Sequence, residues 1–434
     1  MDQINLAIVG CGGMGTRHLH GMMEYAAIVG GLRDHPPFRL AAVCDPNERN
    51  ANLLANTAAA ELGERPRVFA RAEALLDEAP EVEAVDITTE PRLHHDLARQ
   101  FLEAGKHVLV EKPMALTVAG CNLMMAAAER ARRVLAVAEN YRRDPLVRLT
   151  HALLEAGAIG ERWMLVDASV SSGGRIVITP WRHKKAYGGT LLDVGVHNAD
   201  LMLYEFGPVE QVYAQIALFD RVRKGLRGHG GGSGRIGPSS IYAITNANAG
   251  MPDEVEPDVE DSALATLRFA SGALGQWTLS HAGHGQGFSK KVYYGSRGSL
   301  EPAPPRTGRG PQLYLDGRRE ALPPDEMLAL VPDFAVDEGT ARLFGGPRLA
   351  SYQFDPMAID RKIQAAVLLD FGRAIATGAP PEVGGVEGRH AVAVVNALFE
   401  SARLNQPVSV AAVEAEDPAV TGWQRALDAE IGLA

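Results

Sequence analysis

An acid, a lysine and a proline stand in a row at Glu111, Lys112 and Pro113, directly after the apolar stretch His107–Val110. Such a stretch reads as a buried strand, and proline, which has no N–H, ends its ladder. Lysine is costly to bury, so its place at a strand end asks for a charged duty. As an ammonium, Lys112 can hydrogen-bond an oxygen and stabilise a developing alkoxide; desolvated, it can join a proton relay. Side chains alternate along a strand, so Glu111 and Lys112 point to opposite sides and a direct pair between them is disfavoured. The Lys112–Pro113 bond is a candidate for cis geometry, which X–Pro bonds tolerate at modest cost. A second constellation lies in "GGTLLDVGVHNADLMLYEF" (Gly188–Phe206), a helix with a glycine-rich start. Asp193 and His197 are four apart and share one face; Asp200 and Tyr204 continue that face more loosely. Leu191, Leu192, Val194, Val196, Leu201 and Leu203 make the helix apolar nearly all round, which predicts burial. Two polar groups in a buried helix need partners. His197 titrates intrinsically near neutrality and is the first choice of general base. Asp193 orients a ligand or modulates His197 and Lys112. The competing reading of His197, a satisfied core histidine, is weakened by Asp193 one turn away.

These groups need something to act on, and the N-terminus supplies a candidate cradle. The apolar run Ile4–Gly10 ends in "GCGGMG", a G-x-G-x-x-G with Gly10, Gly12 and Gly15 in the fixed places and Gly13 and Met14 between them. Gly10 permits a tight turn, Gly12 lets a pyrophosphate approach the backbone, and Gly15 lets helix pack on strand. The following helix then turns its N-terminus to the anion. A second strand, Phe38–Asp45, ends in an acid, somewhat further on than the usual ~20 residues. A carboxylate at Asp45 accepts from adenosine ribose hydroxyls and repels a 2′-phosphate, which favours NAD over NADP. Arg49 nearby softens that choice and leaves NADP open.

The alternation continues. Arg65–Ala70, Glu81–Thr89, Lys106–Glu111 and Arg133–Asn140 read as four more strands, with helices between them; Gly105 is a plausible C-cap. Alternating strands and helices with short links predict a parallel doubly wound sheet, an α/β Rossmann domain over residues 1–140. Ligands of such sheets bind at the carboxyl ends of the strands. Thr88, Thr89, Glu111, Lys112 and Asn140 all fall there, and Tyr141 and Arg142 follow directly. Past Asp144-Pro145 the pattern becomes one or two helices and then runs of strands. This predicts an α+β domain with a large, mostly antiparallel open sheet over 141–434. Residues 219–258 and 302–355 interrupt the pattern. The Gly-rich part, Gly225–Gly237 with His229, reads as a disordered loop or a lid.

The stretches "LHHDLARQFLEAGKHVLVEKPMAL", "AVAENYRRDP" and "GGTLLDVGVHNADLM", with the glycine motif, resemble the Gfo/Idh/MocA oxidoreductases. The resemblance runs through residues 4–206 and resumes at "VEDSALATLRFASGALGQWTLSHAG" and in the C-terminal helices. It implies a nicotinamide-dependent enzyme that transfers a hydride between NAD and a secondary alcohol of a sugar, glycoside or cyclic polyol. It implies Lys112, Asp193 and His197 as the catalytic trio. Gly10, Gly12, Gly13, Met14, Gly15 and Asp45 fall in the cofactor set, joined by Thr88, Thr89, His94, Glu111, Lys112 and Asn140. Tyr141, Arg142, Trp181 and Arg182 join the trio in the substrate set; Trp181 can stack on a sugar face and Arg182 can bond hydroxyls. It also implies a homo-oligomer, dimer or tetramer, through the C-terminal sheet. The sequence departs from the family where a Thr-Pro pair normally follows the fourth strand. Here "TTEPRLHH" puts Pro91 one place late.

Composition narrows the alternatives. Apolar residues at 46% and charged residues at 22% exclude a disordered chain. Lys+Arg total 43 against Asp+Glu 53, a net charge of −10, which argues against a nucleic-acid partner. No apolar run is long enough to span a bilayer, and the N-terminus has no basic leader. The three cysteines, Cys11, Cys44 and Cys121, have no paired spacing and fit neither a disulfide framework nor a zinc site, so a reducing, cytoplasmic setting is expected. His281 and His284 suggest a metal only faintly, and none is expected. Two other functions compete. One is a lyase or hydrolase that cleaves a glycoside through a transient keto-sugar. The other is a non-catalytic NAD-binding regulator, which would have no use for Lys112 and His197.

Overall fold

The computed structural model describes residues 3–225 and 252–433. Six parallel strands form the first sheet: β1 (Ile4–Val9), β2 (Phe38–Cys44), β3 (Arg67–Phe69), β4 (Ala84–Ile87), β5 (His107–Val110) and β6 (Leu135–Val137). Their spatial order is β3-β2-β1-β4-β5-β6, the doubly wound order with its switch between β1 and β4. The intervening helices are α1 (Gly13–Ile28), α2 (Glu48–Leu62), α3 (Ala72–Glu78), α4 (His94–Glu103) and α5 (Val118–Ala131). Local chemistry sets their ends. Asn47 caps α2 by accepting from the N–H groups of Arg49 and Asn50, and α2 stops at Gly63, in the left-handed region. Thr117 caps α5 in the same way.

The chain then enters α6 (Pro145–Glu155), whose first turn combines Pro145 with a cap from Asp144 to the Leu146 N–H. The second sheet has eight strands. They are β7 (Arg162–Ser172), β8 (Val209–Ala217), β11 (Ser262–Phe269), β12 (Leu274–Gly283), β13 (Phe288–Gly295), β14 (Gly298–Glu301), β15 (Gln312–Leu315) and β16 (Val408–Ser409). A separate small pair joins β9 (Arg223–Lys224) to β10 (Glu254–Val255). The large sheet is antiparallel except where β12 meets β7. The expected helix appears as α7 (Gly189–Phe206), buried between the sheet and the helix Gly385–Leu404. Their approach is close at Gly195, where an added Cβ would lie 3.1 Å from Val395 and 3.4 Å from Trp277.

Two features lie beyond the sequence reading. The helix Pro356–Thr377 does not stay with the second sheet; it packs along α1 and shares a core with β1 and β2. Residues 302–355 supply β15 and two short helices, and Ala303, Leu343, Phe344 and Tyr352 enter that same core. Most of the Gly-rich stretch, with His229, lies outside the described residues.

Candidate active site

The glycine loop behaves as its residue types require. Gly10 has φ +100°, and an added Cβ there would sit 2.8 Å from the Thr88 carbonyl carbon. At Gly15 a Cβ would fall 2.1 Å from the Gly10 oxygen, so helix and strand approach as closely as glycine allows. At Gly12 nothing lies within 4 Å of that position. That open space faces the first turn of α1, which has no side-chain cap and no acid. This is a cradle for an anion, and it tests well for a dinucleotide. Gly12, Gly13, Met14 and Asp45 all line the adjoining cavity. Asp45 accepts the Cys11 and Asn47 N–H groups, each at 2.7 Å, which holds its carboxylate at the end of β2. Asn140 lines the cavity too, and its buried Oδ1 has no donor among the described residues. Thr88 also borders the cavity; its hydroxyl donates to the Gly10 carbonyl at 2.6 Å and locks β4 to the loop.

The predicted trio converges on the same cavity, of about 710 Å³. Lys112 ends β5, and its bond to Pro113 is cis. The Lys112 Nζ donates to the backbone oxygen of Asp193 at 2.7 Å and to its Oδ1 at 3.0 Å. The other carboxylate oxygen accepts from Arg182 Nε at 2.8 Å. Burial pushes the Asp193 carboxyl up, but Arg182 and Lys112 outweigh it and hold it well below the usual carboxylate range. Asp193 is therefore a fixed anion that positions two cations, and not a proton carrier at neutral pH.

His197 has a partner that the sequence reading missed. Its Nδ1 lies 2.8 Å from both oxygens of Glu139, at the end of β6. Glu139 also accepts the Tyr141 N–H at 3.0 Å. Burial lowers the His197 pKa and Glu139 raises it; with Lys112 and Arg306 nearby the balance is downward. A neutral imidazole that donates Nδ1–H to a carboxylate presents Nε2 as an acceptor, the tautomer a general base needs. The ring is also clamped: Tyr141 stacks on it at 4.0 Å, nearly parallel, and the Arg306 guanidinium lies 4.9 Å from the other ring's centroid. Glu139 was legible as a charged residue at a strand end, one place before Asn140. Arg306 was not, because it comes from a segment read as an insertion.

The remaining candidates divide. Thr89, Glu111, Tyr141, Trp181 and Arg182 all line the cavity. Glu111 gains a definite partner: its Oε1 lies 3.0 Å from Nε2 of His18 on α1, whose Nδ1 lies 2.7 Å from Asp86 on β4. The other Glu111 oxygen accepts the Lys112 N–H at 2.9 Å, and no ion pair forms with the Lys112 ammonium. Two carboxylates around one ring require both of its nitrogens to donate, and the His18 pKa is raised to about 10 against its burial. His94 and Arg142 depart from expectation. The buried His94 ring bridges the Pro113 and Thr89 carbonyls at 2.9 and 3.1 Å, so it ties two site loops together and stays out of the cavity. Arg142 turns away from Tyr141 and is buried in a two-pronged pair with Asp200, its guanidinium over the Tyr204 ring. It is a structural anchor, because burying an arginine demands such a carboxylate. Asp200 and Tyr204 thereby serve Arg142 and not the catalytic face. His284 pairs with Asp220 in an exposed position, and among the described residues no three potential ligands gather for a metal.

Residues 4–139 match the family model described as an oxidoreductase family with an NAD-binding Rossmann fold, and residues 147–301 match the GFO/IDH/MocA C-terminal domain. Fold and cradle together define a nicotinamide-dependent oxidoreductase. The chain belongs to the Gfo/Idh/MocA family. It is 27% identical to levoglucosan dehydrogenase of Pseudarthrobacter phenanthrenivorans over 427 residues, covering 96% of this chain and all of that one. It is 26% identical to D-apiose dehydrogenase of Paraburkholderia graminis, over 96% of this chain and 92% of that one. Myo-inositol 2-dehydrogenase of Thermotoga maritima is 24% identical over 73% of this chain and 76% of its own. A solved levoglucosan dehydrogenase, in complex with NADH and levoglucosan, has the same fold, with a TM-score of 0.69 at 24% identity over 94% of this chain and 100% of that one.

Proposed function

We propose that the protein oxidises a secondary alcohol of a sugar, glycoside or cyclic polyol with NAD, and catalyses the reverse reduction. The carrying observation is that the Lys112–Asp193 pair and His197, backed by Glu139, face the same cavity that the glycine cradle opens into. When bound, the nicotinamide accepts a hydride. The protein's task is then to hold the carbinol and take its proton. Lys112, fixed by Asp193, donates to the reacting oxygen and stabilises negative charge developing on it. His197 takes the hydroxyl proton at Nε2, and Glu139 compensates the imidazolium that results. Gly10, Gly12, Gly13 and Met14 hold the pyrophosphate end, Asp45 the adenosine ribose, and Thr88, Thr89 and Asn140 the nicotinamide end. Trp181 offers a flat face to a sugar, and Arg182 holds it in place, with its guanidinium 4.2 Å from the ring centroid. The named activities of the relatives, on levoglucosan, apiose and inositol, support this substrate class.

The unit that binds NAD is taken as residues 1–140 and the substrate and oligomer unit as 141–434, with the helix Pro356–Thr377 returning to brace the first. We read the protein as a cytoplasmic homo-oligomer joined through the outer face of its large sheet. There Leu274, Met164 and Tyr294 lie in register across three strands and are all exposed. No helix among the described residues is long and apolar enough to cross a membrane. The test is a screen of anhydrosugars, inositols and aldoses with NAD and with NADP, followed by NADH absorbance. Net NADH formation with NAD and one substrate group is expected. Glycoside cleavage without net NADH would replace this reading with the lyase.

A further inference from the structure

Glu90 is the residue that displaces Pro91 from its usual place after the fourth strand. Its backbone is extended (φ −69°, ψ 143°) and stands at the N-cap of the turn Pro91–Leu93, yet its side chain does not cap that turn. Glu90 is among the residues that line the cavity, it is half-buried, and its carboxylate accepts no hydrogen bond among the described residues. Burial pushes its carboxyl up, against the pull of Arg92 and Arg182. Among the described residues neither guanidinium forms an ion pair with it. Arg182 spends Nε on Asp193 and Nη1 on Thr179, and Arg92 lies toward the Tyr187 ring. A half-buried carboxylate with no protein donor is open to a ligand that supplies one. The cavity offers such a ligand, with the Trp181 face among its walls.

We propose that the Glu90 carboxylate binds two neighbouring hydroxyls, a vicinal diol, of the polyhydroxylated molecule in the cavity. The inference deepens the polyol reading above and rests on it. An ionised carboxylate is acceptor-only, with two oxygens side by side. Two adjacent hydroxyls match it, each donating one hydrogen bond, and a phosphate or a carboxylate is repelled. The diol has two available sources, the polyol substrate and the ribose on the nicotinamide side of the cofactor.

The test compares full-length wild type with Glu90→Gln, which keeps the shape and removes the charge, and with Glu90→Asp, which keeps the charge and shortens the reach. Levoglucosan and myo-inositol serve as substrate probes, and NADH fluorescence titration reports the cofactor without turnover. If the substrate supplies the diol, KM for the accepted probe rises about tenfold in Glu90→Gln, with kcat and the NADH Kd within about twofold of wild type. If the ribose supplies it, the NADH Kd rises about tenfold instead and KM for the polyol holds. Glu90→Asp falls between wild type and Glu90→Gln in either case. Both constants unchanged in Glu90→Gln, in protein that melts as wild type does, overturns the proposal. Failure of the polyol reading shows elsewhere, as wild type that forms NADH with neither probe nor with the wider screen. An unchanged NADH titration of Glu90→Gln in that event overturns the present proposal as well.

Discussion

The catalytic proposal depends at the residue scale on which groups can change charge. Asp193 is pinned as an anion between Lys112 and Arg182, and Glu139 is pinned beneath His197. The His197 imidazole, its pKa lowered by burial, stands between them as the proposed proton acceptor. Oxidation needs it neutral, so kcat/KM should fall as pH drops through the His197 pKa. Glu139 is the chief group that raises that pKa against burial, Lys112 and Arg306. Glu139→Gln should therefore move the acid limb to lower pH while reducing the maximal rate, as a pH–rate profile would show. A limb that moves to higher pH would remove His197 as the base. Asp193→Ala should cost about 3–5 kcal/mol of stability as well as activity, because it strands the buried Arg182 and the partly buried Lys112; denaturant titration reads this. Lys112, Asp193 and His197 were legible because their types and spacing have few other uses. Glu139 was harder: a glutamate at a strand end has many fates, and only the fold shows that β6 delivers it to His197.

At the scale of elements, the cofactor helix and the catalytic lysine are tied together. His18 on α1 is clamped between Asp86 on β4 and Glu111 just after β5, and Glu111 also holds the Lys112 N–H. The folded pKa of His18, raised to about 10, lies above the ordinary imidazole value of 6.5 that holds in the unfolded chain. Its contribution to stability is thus full below about pH 6.5 and is lost as pH rises through about 10. His18→Gln should melt below wild type at pH 7, and the gap should narrow toward pH 10. The glycines give a sharper contrast. Gly12→Ala meets nothing among the described residues, so apo melting should hold while the NADH Kd rises at least about tenfold. Gly15→Ala collides with the Gly10 backbone and should destabilise the apo protein itself. The alternation of strands and helices and the burial of α7 followed from hydrophobic patterning, which is local. The His18 clamp joins residues 68 and 93 apart in sequence and could not be read locally.

The whole molecule departs most from a linear reading. The Arg17–Asp360 pair links residues 343 apart and fastens the helix Pro356–Thr377 to the cofactor helix, at the edge of the cavity. The same Asp360 lies 3.8 Å from Arg306, which covers Tyr141. The late part of the chain thus braces both halves of the site, although no pattern in it announces that role. The large sheet leaves Trp163, Leu264, Leu274, Phe288 and Tyr294 exposed. Scattered apolar residues need no explanation, but a row across several strands asks for cover. Light scattering should find more than one chain per particle, and a double Leu264→Glu, Leu274→Glu variant should shift it toward the monomer.

The central claim is that Lys112 and its partners drive hydride transfer to a cofactor held by the glycine loop. Its most direct test is a single-turnover measurement of NADH formation by wild type and Lys112→Met, with the polyol found by screening. Lys112→Met should bind NADH as wild type does, yet form it about 10²–10⁴-fold more slowly. NADH formed at the wild-type rate by Lys112→Met would contradict the account.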